Sequence, residues 1–172
     1  MSVHIIVDGY NLIGCDKGLT GNLESKRNRL VQQLRQYHEA KDYPITVVFD
    51  GWRSGWVYQV EEKAGAIKVI YSQQGEKADS VIQRLARNMG SGCVVVTSDR
   101  ELRQAVEASG AVAVYAGEFG AKLRNVDREI YLKAEDFEVD RELPAAREQP
   151  KKGNPRRLSK IERRRRERLK KL

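Results

Sequence analysis

Three short apolar runs in this 172-residue chain end at or beside an aspartate: Ile6-Val7-Asp8, Val48-Phe49-Asp50 and Val96-Thr97-Ser98-Asp99. A charge at the end of a buried strand is costly unless something compensates it. Glu76 and Asp79 add two more carboxylates at the start of a helical stretch and, spaced i and i+3, share a face. Clustered carboxylates with no basic side chain among them repel, so they persist where a cation holds them together. All-oxygen ligands select Mg²⁺ or Mn²⁺. Such an ion makes water more acidic and stabilises the leaving oxygen of an in-line displacement at phosphorus. Asp8, Asp50, Asp79 and Asp99 are therefore the candidate metal ligands, and hydrolysis of a phosphodiester is the chemistry they would serve.

Each of these residues also has a plainer reading. Asp8-Gly9 and Asp50-Gly51 are ordinary turn dipeptides, and Asn11 could cap a loop. Ser98 with Glu101 matches a capping box, and Asp79 and Asp99 could be first-turn acids that complement a helix dipole. The coincidence of three strand-end acids favours the site. No side chain offers a competing catalytic group. His4 lies four residues before Asp8, roughly 13 Å away along an extended strand, and His38 falls near the end of its helix, so both are expected to be structural. Two cysteines, Cys15 and Cys93, and two histidines cannot build a spaced zinc pattern. Both cysteines read as reduced thiols, Cys93 as core.

The elements that must position the acids follow from apolar patterning. Val3–Asp8, Ile45–Asp50, Ile67–Tyr71, Cys93–Ser98 and Ala111–Tyr115 read as strands, and most are apolar on both parities, as in a parallel sheet covered on both faces. Helical stripes occupy Asn22–Lys41 and Ala78–Met89, the latter ended by Gly90 and Gly92, and a shorter helix around Leu102, Ala105 and Val106 closes at Gly110. The alternation predicts a doubly wound α/β fold, with a mostly parallel five-stranded sheet in the order 3-2-1-4-5 between helical layers. In that order Asp50, Asp8 and Asp99 line one carboxyl edge, where open parallel sheets bind ligands.

Two segments break the rhythm. Gly51–Ala66 joins two strands without a clear helix and carries Trp52, Arg53, Trp56, Tyr58 and Lys63. These aromatics either cover the sheet edge or stack unpaired bases. Pro144, Pro150, Gly153 and Pro155 mark a linker. The division expected is a nuclease-type domain over residues 1–140, a linker over 141–155 and a basic helical tail over 156–172.

Residues 150–172 hold twelve Lys or Arg against two Glu, which leaves 20 basic against 22 acidic residues for the rest. A tail of this charge, with Arg163, Arg164, Arg165 and Arg166 at its centre, is a handle for phosphate polymers, because neutralised phosphates release counterions. The opening Met1-Ser2-Val3-His4-Ile5 has neither a basic flank nor a long apolar run, so no secretory signal or membrane span is expected and the location expected is cytoplasmic.

The segment His4-Ile5-Ile6-Val7-Asp8-Gly9-Tyr10-Asn11-Leu12-Ile13 resembles the first motif of the YacP-like branch of NYN domains. Val47-Val48-Phe49-Asp50-Gly51, Gly75-Glu76-Lys77-Ala78-Asp79 and Val96-Thr97-Ser98-Asp99 follow in that family's order, and the resemblance covers about residues 3–140. It implies a PIN-like fold, divalent-metal nuclease chemistry and RNA as substrate. Asp8, Asn11, Asp79 and Asp99 stand in the matched motif positions, with Asp50 nearby. Lys77 stands where the family tends to have a small or acidic residue, and there it either weakens metal binding or contacts a phosphate.

Two functions compete on this reading. One is a Mg²⁺- or Mn²⁺-dependent endoribonuclease acting on single-stranded RNA, with the ribosome as a candidate place of action. Asp8, Asp79 and Asp99 would hold the ion, Asp50 would support it, Asn11 would orient substrate or water, and Ser98, Trp52, Arg53, Trp56, Lys77 and the tail arginines would engage RNA. The other is a non-catalytic RNA- or ribosome-binding module with the same fold. A phosphatase or a DNA flap nuclease fits less well, since no Asp-x-Asp pattern follows the first strand and no helix-hairpin-helix glycine motif is present.

Overall fold

The structure, a computed structural model, describes residues 2–138 and 160–172. The linker expected at 141–155 and the opening of the tail at 156–159 lie outside the described residues. The five expected strands form as β1 (His4–Asp8), β2 (Ile45–Phe49), β4 (Ile67–Tyr71), β5 (Cys93–Val96) and β6 (Val112–Val114). A sixth strand, β3 (Val60–Ala64), makes the order β3-β4-β2-β1-β5-β6. All pairings are parallel except β3 with β4.

β3 overturns the loop expected over residues 51–66. Its Glu61, Glu62 and Lys63 are exposed, so an edge strand with no buried face shows no apolar alternation for periodicity to detect. Hairpin pairing to β4 through Gly65, at φ 66°, forms it nonetheless, helped by the ion pair of Glu61 with Lys68 at 2.6 Å. The same segment opens with a short 3-10 turn at Gly51–Ser54.

Side chains alternate across the sheet as a pleated strand requires. Ile5, Val7, Val47, Phe49, Val94 and Val96 face one layer, and Ile6, Val48, Ile70 and Val95 face the other. The first layer is built from α1 (Gly9–Lys17), α2 (Leu23–Lys41) and α5 (Ala116–Glu138), and the second from α3 (Ala78–Met89) and α4 (Arg100–Ala108). α2 begins under Asn22, whose side chain accepts from the Ser25 N–H. His4 bonds Thr46 and His38 bonds the Tyr43 carbonyl, both structural contacts.

Two helices lie outside the alternation read from the sequence. α1 contains Gly9, Gly14 and polar residues of low helix propensity, and it forms because Tyr10, Leu12 and Ile13 are buried. Gly9 is required at its start, since a Cβ there would sit 2.2 Å from the Phe49 ring. α5 buries Ala116, Phe119, Leu123 and Val126 along one stripe.

The basic tail folds as α6 (Lys160–Lys171) and docks on the domain. Leu172 is buried and Leu169 packs against the core of the first layer. The Tyr37 and Tyr43 hydroxyls donate to the carbonyls of Leu172 and Lys171. No helix among the described residues is long and apolar enough to cross a membrane.

Candidate active site

β2, β1 and β5 are adjacent and parallel, so the residues at and just after their carboxyl ends meet along one edge of the sheet. Asp8 is the last residue of β1 and caps α1, accepting from the Asn11 N–H at 3.5 Å. Its second oxygen accepts from the buried Thr97 hydroxyl at 3.1 Å. Asp99 follows β5 and caps α4, accepting from the Leu102 N–H at 2.9 Å. Asp50 follows β2 and reaches the start of α3, where it accepts from the Ala78 N–H at 2.7 Å. Asp79 lies in the first turn of α3. Three helix starts thus point their partial positive charge at a cluster of acids.

These contacts do not remove the repulsion. The Asp8 carboxyl is pushed up to about 7, by burial first and then by Asp79, with Asp50 adding to it, against the lowering effect of the bonds from Thr97 and Asn11. Asp79 is raised as well, by burial and then by Asp99 and Asp50, with Lys77 opposing. The four expected acids therefore share one electrostatic site. Among the described residues, however, no three Asp, Glu, His or Cys side chains close into a metal cage. Glu76 does not take part: it precedes α3 and pairs with Arg84 at 2.7 Å.

Asn11 and Ser98 are brought to the same edge. The Asn11 side-chain carbonyl accepts from the Ser98 N–H at 2.8 Å, joining the loop after β5 to α1. Ser98 does not cap α4. Its hydroxyl accepts from the Ala116 N–H at 3.2 Å, which leaves the cap to Asp99 one residue later and corrects the capping-box reading.

Two residues at this edge were not assigned from sequence. Thr97 holds Asp8 and also accepts from the Asp99 N–H at 3.1 Å, tying two acids together. Ser72, fully buried after β4, accepts from the Gly51 N–H and donates to the Glu76 carbonyl. Both are polar residues at the end of an apolar run, a signal that sequence offers but that aspartate overshadows. Gly51 packs so closely on Ser72 that a Cβ would lie 1.7 Å from its carbonyl oxygen.

The remaining expected residues fall into two groups. Trp52 and Trp56 are 60% and 41% exposed beside the β2 end of the edge. Trp56 meets Tyr71, which stacks on Phe49, which in turn meets Tyr10 edge-on. The side chain of Arg53 lies outside the described residues. In α6, Arg163, Arg164 and Arg166 are exposed, whereas Arg165 turns inward to Glu118 at 3.0 Å and lies over the Tyr115 ring.

Acids gathered at the carboxyl edge of a mostly parallel sheet, backed by helix starts, fit the PIN-like class. The chain belongs to the YacP-like NYN domain family, whose model matches residues 5–172 and so runs through α6. Two crystal structures of Rae1 (YacP) from Bacillus subtilis are similar to it. One is 26% identical with TM-score 0.65, covering 80% of this chain and 82% of that one. The other, a tryptophan-to-leucine mutant of that protein, is 24% identical with TM-score 0.67, covering 80% and 85%. No curated protein is significantly similar.

Proposed function

We propose that the chain is a divalent-metal-dependent endoribonuclease acting on single-stranded RNA. The observation that carries this reading is the buried Asp8 at the end of β1, gathered at one sheet edge with Asp50, Asp79 and Asp99, where burial and Asp79 push its carboxyl up. Among the described residues, Lys77 opposes the shift of Asp79, and no cation offsets that of Asp8. The donors are all hard oxygens, which suits Mg²⁺ or Mn²⁺. Mg²⁺ is commonly held by one or two carboxylates with several waters. Asp8, Asp79 and Asp99 would hold it, directly or through water, with Asp50 in support. When bound, it supplies Lewis acidity that favours attack by water and offsets charge building on the phosphate.

The chain's own residues then set geometry. Thr97 fixes Asp8 and the turn into Asp99. Asn11, its carbonyl engaged by Ser98, keeps its two amide N–H donors for a phosphate oxygen. Trp52 and Trp56 offer faces for unpaired bases, and Arg163, Arg164 and Arg166 attract the strand.

The test is cleavage of single-stranded RNA with Mn²⁺, with EDTA, and with Asp8→Asn. Cleavage is expected only for the wild type with metal, and equal cleavage by the Asp8→Asn protein would sink the assignment. One observation favours the second reading, an RNA-binding module without hydrolysis: Lys77 lowers the Asp79 carboxyl and so does part of a cation's work. That reading requires calorimetry to show no saturable, Asp8-dependent Mn²⁺ binding. Sedimentation with ribosomes at physiological salt tests the ribosome as the place of action.

A further inference from the structure

Beyond β5, the active edge continues to β6, whose carboxyl end carries an arrangement that the hydrolytic site does not use. Two guanidinium groups lie over the Tyr115 ring, Arg103 of α4 at 3.8 Å and Arg165 of α6 at 4.8 Å from the centroid. Only Arg165 has a carboxylate partner among the described residues, Glu118. Arg103 makes no ion pair with any described residue. Stacking on an aromatic ring fixes the plane of a guanidinium; the Arg103 Nε is buried without a partner, so the terminal amines are the donors it offers to an anion. The cluster is tied to the acids through backbone: the Ala116 N–H next to Tyr115 donates to Ser98, which precedes Asp99, and the Arg103 N–H donates to the Asp99 carbonyl.

We propose that Arg103, held over the Tyr115 ring with Arg165 nearby, binds a backbone phosphate of the RNA strand within two nucleotides of the one cleaved. This rests on the nucleic-acid reading of the acidic edge. β6 is two strands from β1, about 10 Å at ordinary strand spacing, a span of one to two phosphate spacings along an extended strand. The acids themselves repel a polyanion, so a strand crossing them needs positive charge on the far side, and Arg103, which has no carboxylate partner among the described residues, supplies it, with Arg165 held by Glu118 beside it. The strand would run along the sheet edge, from Trp52 and Trp56 beyond β2, across the aspartates, to the guanidinium pair at β6. α6 contributes by docking: it brings Arg165 to Tyr115 and leaves Arg163, Arg164 and Arg166 outward.

Binding of a labelled oligouridylate to the full chain in EDTA, where hydrolysis cannot intervene, tests this over a series of KCl concentrations. Arg103→Gln is expected to weaken binding about tenfold. It should also reduce the steepness of log affinity against log salt by about 0.7, the value for one phosphate contact on a single strand. Arg103→Lys is expected to restore the slope. A wild-type slope in an Arg103→Gln protein with unchanged thermal unfolding would overturn the proposal, and so would a loss of affinity without a change of slope. Saturable binding of inorganic phosphate at Arg103 with no effect of the substitution on oligouridylate would also overturn it. Failure here leaves Mn²⁺-dependent cleavage by the wild type untouched, whereas failure of the nuclease reading appears only in that cleavage assay.

Discussion

The acidic edge and helix α6 concentrate opposite charges under opposite conditions. At the edge, Asp8 is buried and crowded by acids, and its carboxyl rises to about 7. On α6, three of four consecutive arginines stand in solvent, while the fourth turns inward onto Tyr115 and Glu118. Charge that the fold forces together at an energetic cost is the candidate for chemistry, and exposed charge is the candidate for attracting a polymer. Position within the run decides the role, so Arg165 and Arg166 do different work despite being neighbours.

The sharpest way to break this contrast is Asp8→Asn in metal-free protein. Below about pH 4 Asp8 is protonated whether the chain is folded or not, so it leaves stability unchanged. Between there and pH 7 the unfolded chain releases the proton while the folded chain keeps it, and stability falls. Above pH 7 the whole penalty stands. The shift from 3.8 to about 7 corresponds to at most about 4 kcal/mol. Asp8→Asn should therefore unfold later than wild type at about pH 8 in EDTA, although it is inactive. Added Mn²⁺ should raise the melting temperature of wild type alone. Identical pH-stability curves for the two proteins would remove the argument from repulsion.

Gly51→Ala comes next. Its Cβ would meet the Ser72 carbonyl at 1.7 Å, so the turn that places Asp50 must shift, at about 3 kcal/mol in denaturant unfolding. Thr97→Val should cost about 1–2 kcal/mol, since it removes the donor to Asp8 and the acceptor for the Asp99 N–H. Because the Thr97 bond lowers the Asp8 carboxyl, its loss should move the acid limb of the cleavage profile to higher pH. An unmoved limb would show that Thr97 is only packing. The smallest effects separate the arginines of α6. Arg165→Gln is expected to cost about 1 kcal/mol of stability. Arg163→Gln with Arg166→Gln should leave unfolding within about 0.5 kcal/mol and flatten the salt dependence of RNA binding.

Much of this was legible in the chain, for reasons that differ by element. Strands β1, β2 and β5 are buried on both faces, so their continuous apolar runs stand out, and the aspartates that end them mark the edge. α3 and α4 carry clear stripes. β3 escaped because its central Glu61, Glu62 and Lys63 are all exposed, and α1 because tertiary contacts of Tyr10, Leu12 and Ile13 override two glycines. In the site, Asp8, Asp50, Asp79 and Asp99 were evident as charges, but not how they are held. Thr97 and Ser72 act through bonds that join residues distant in sequence, Thr97 to Asp8 and Ser72 to Gly51, and spacing along a chain does not register such pairs. The inward turn of Arg165 likewise depends on Tyr115, which only the docking of α6 brings near.

That docking has a consequence unrelated to RNA. β6 is the last strand of the sheet, and a bare outer strand offers its unpaired peptide groups as a template on which another chain can add. α6 lies against β6, and at the opposite margin β3 presents Glu61, Glu62 and Lys63 to solvent. Both margins are thereby closed to strand addition, one by a helix and the other by charge. The segment proposed to attract RNA is also the one that lies over the outer strand β6.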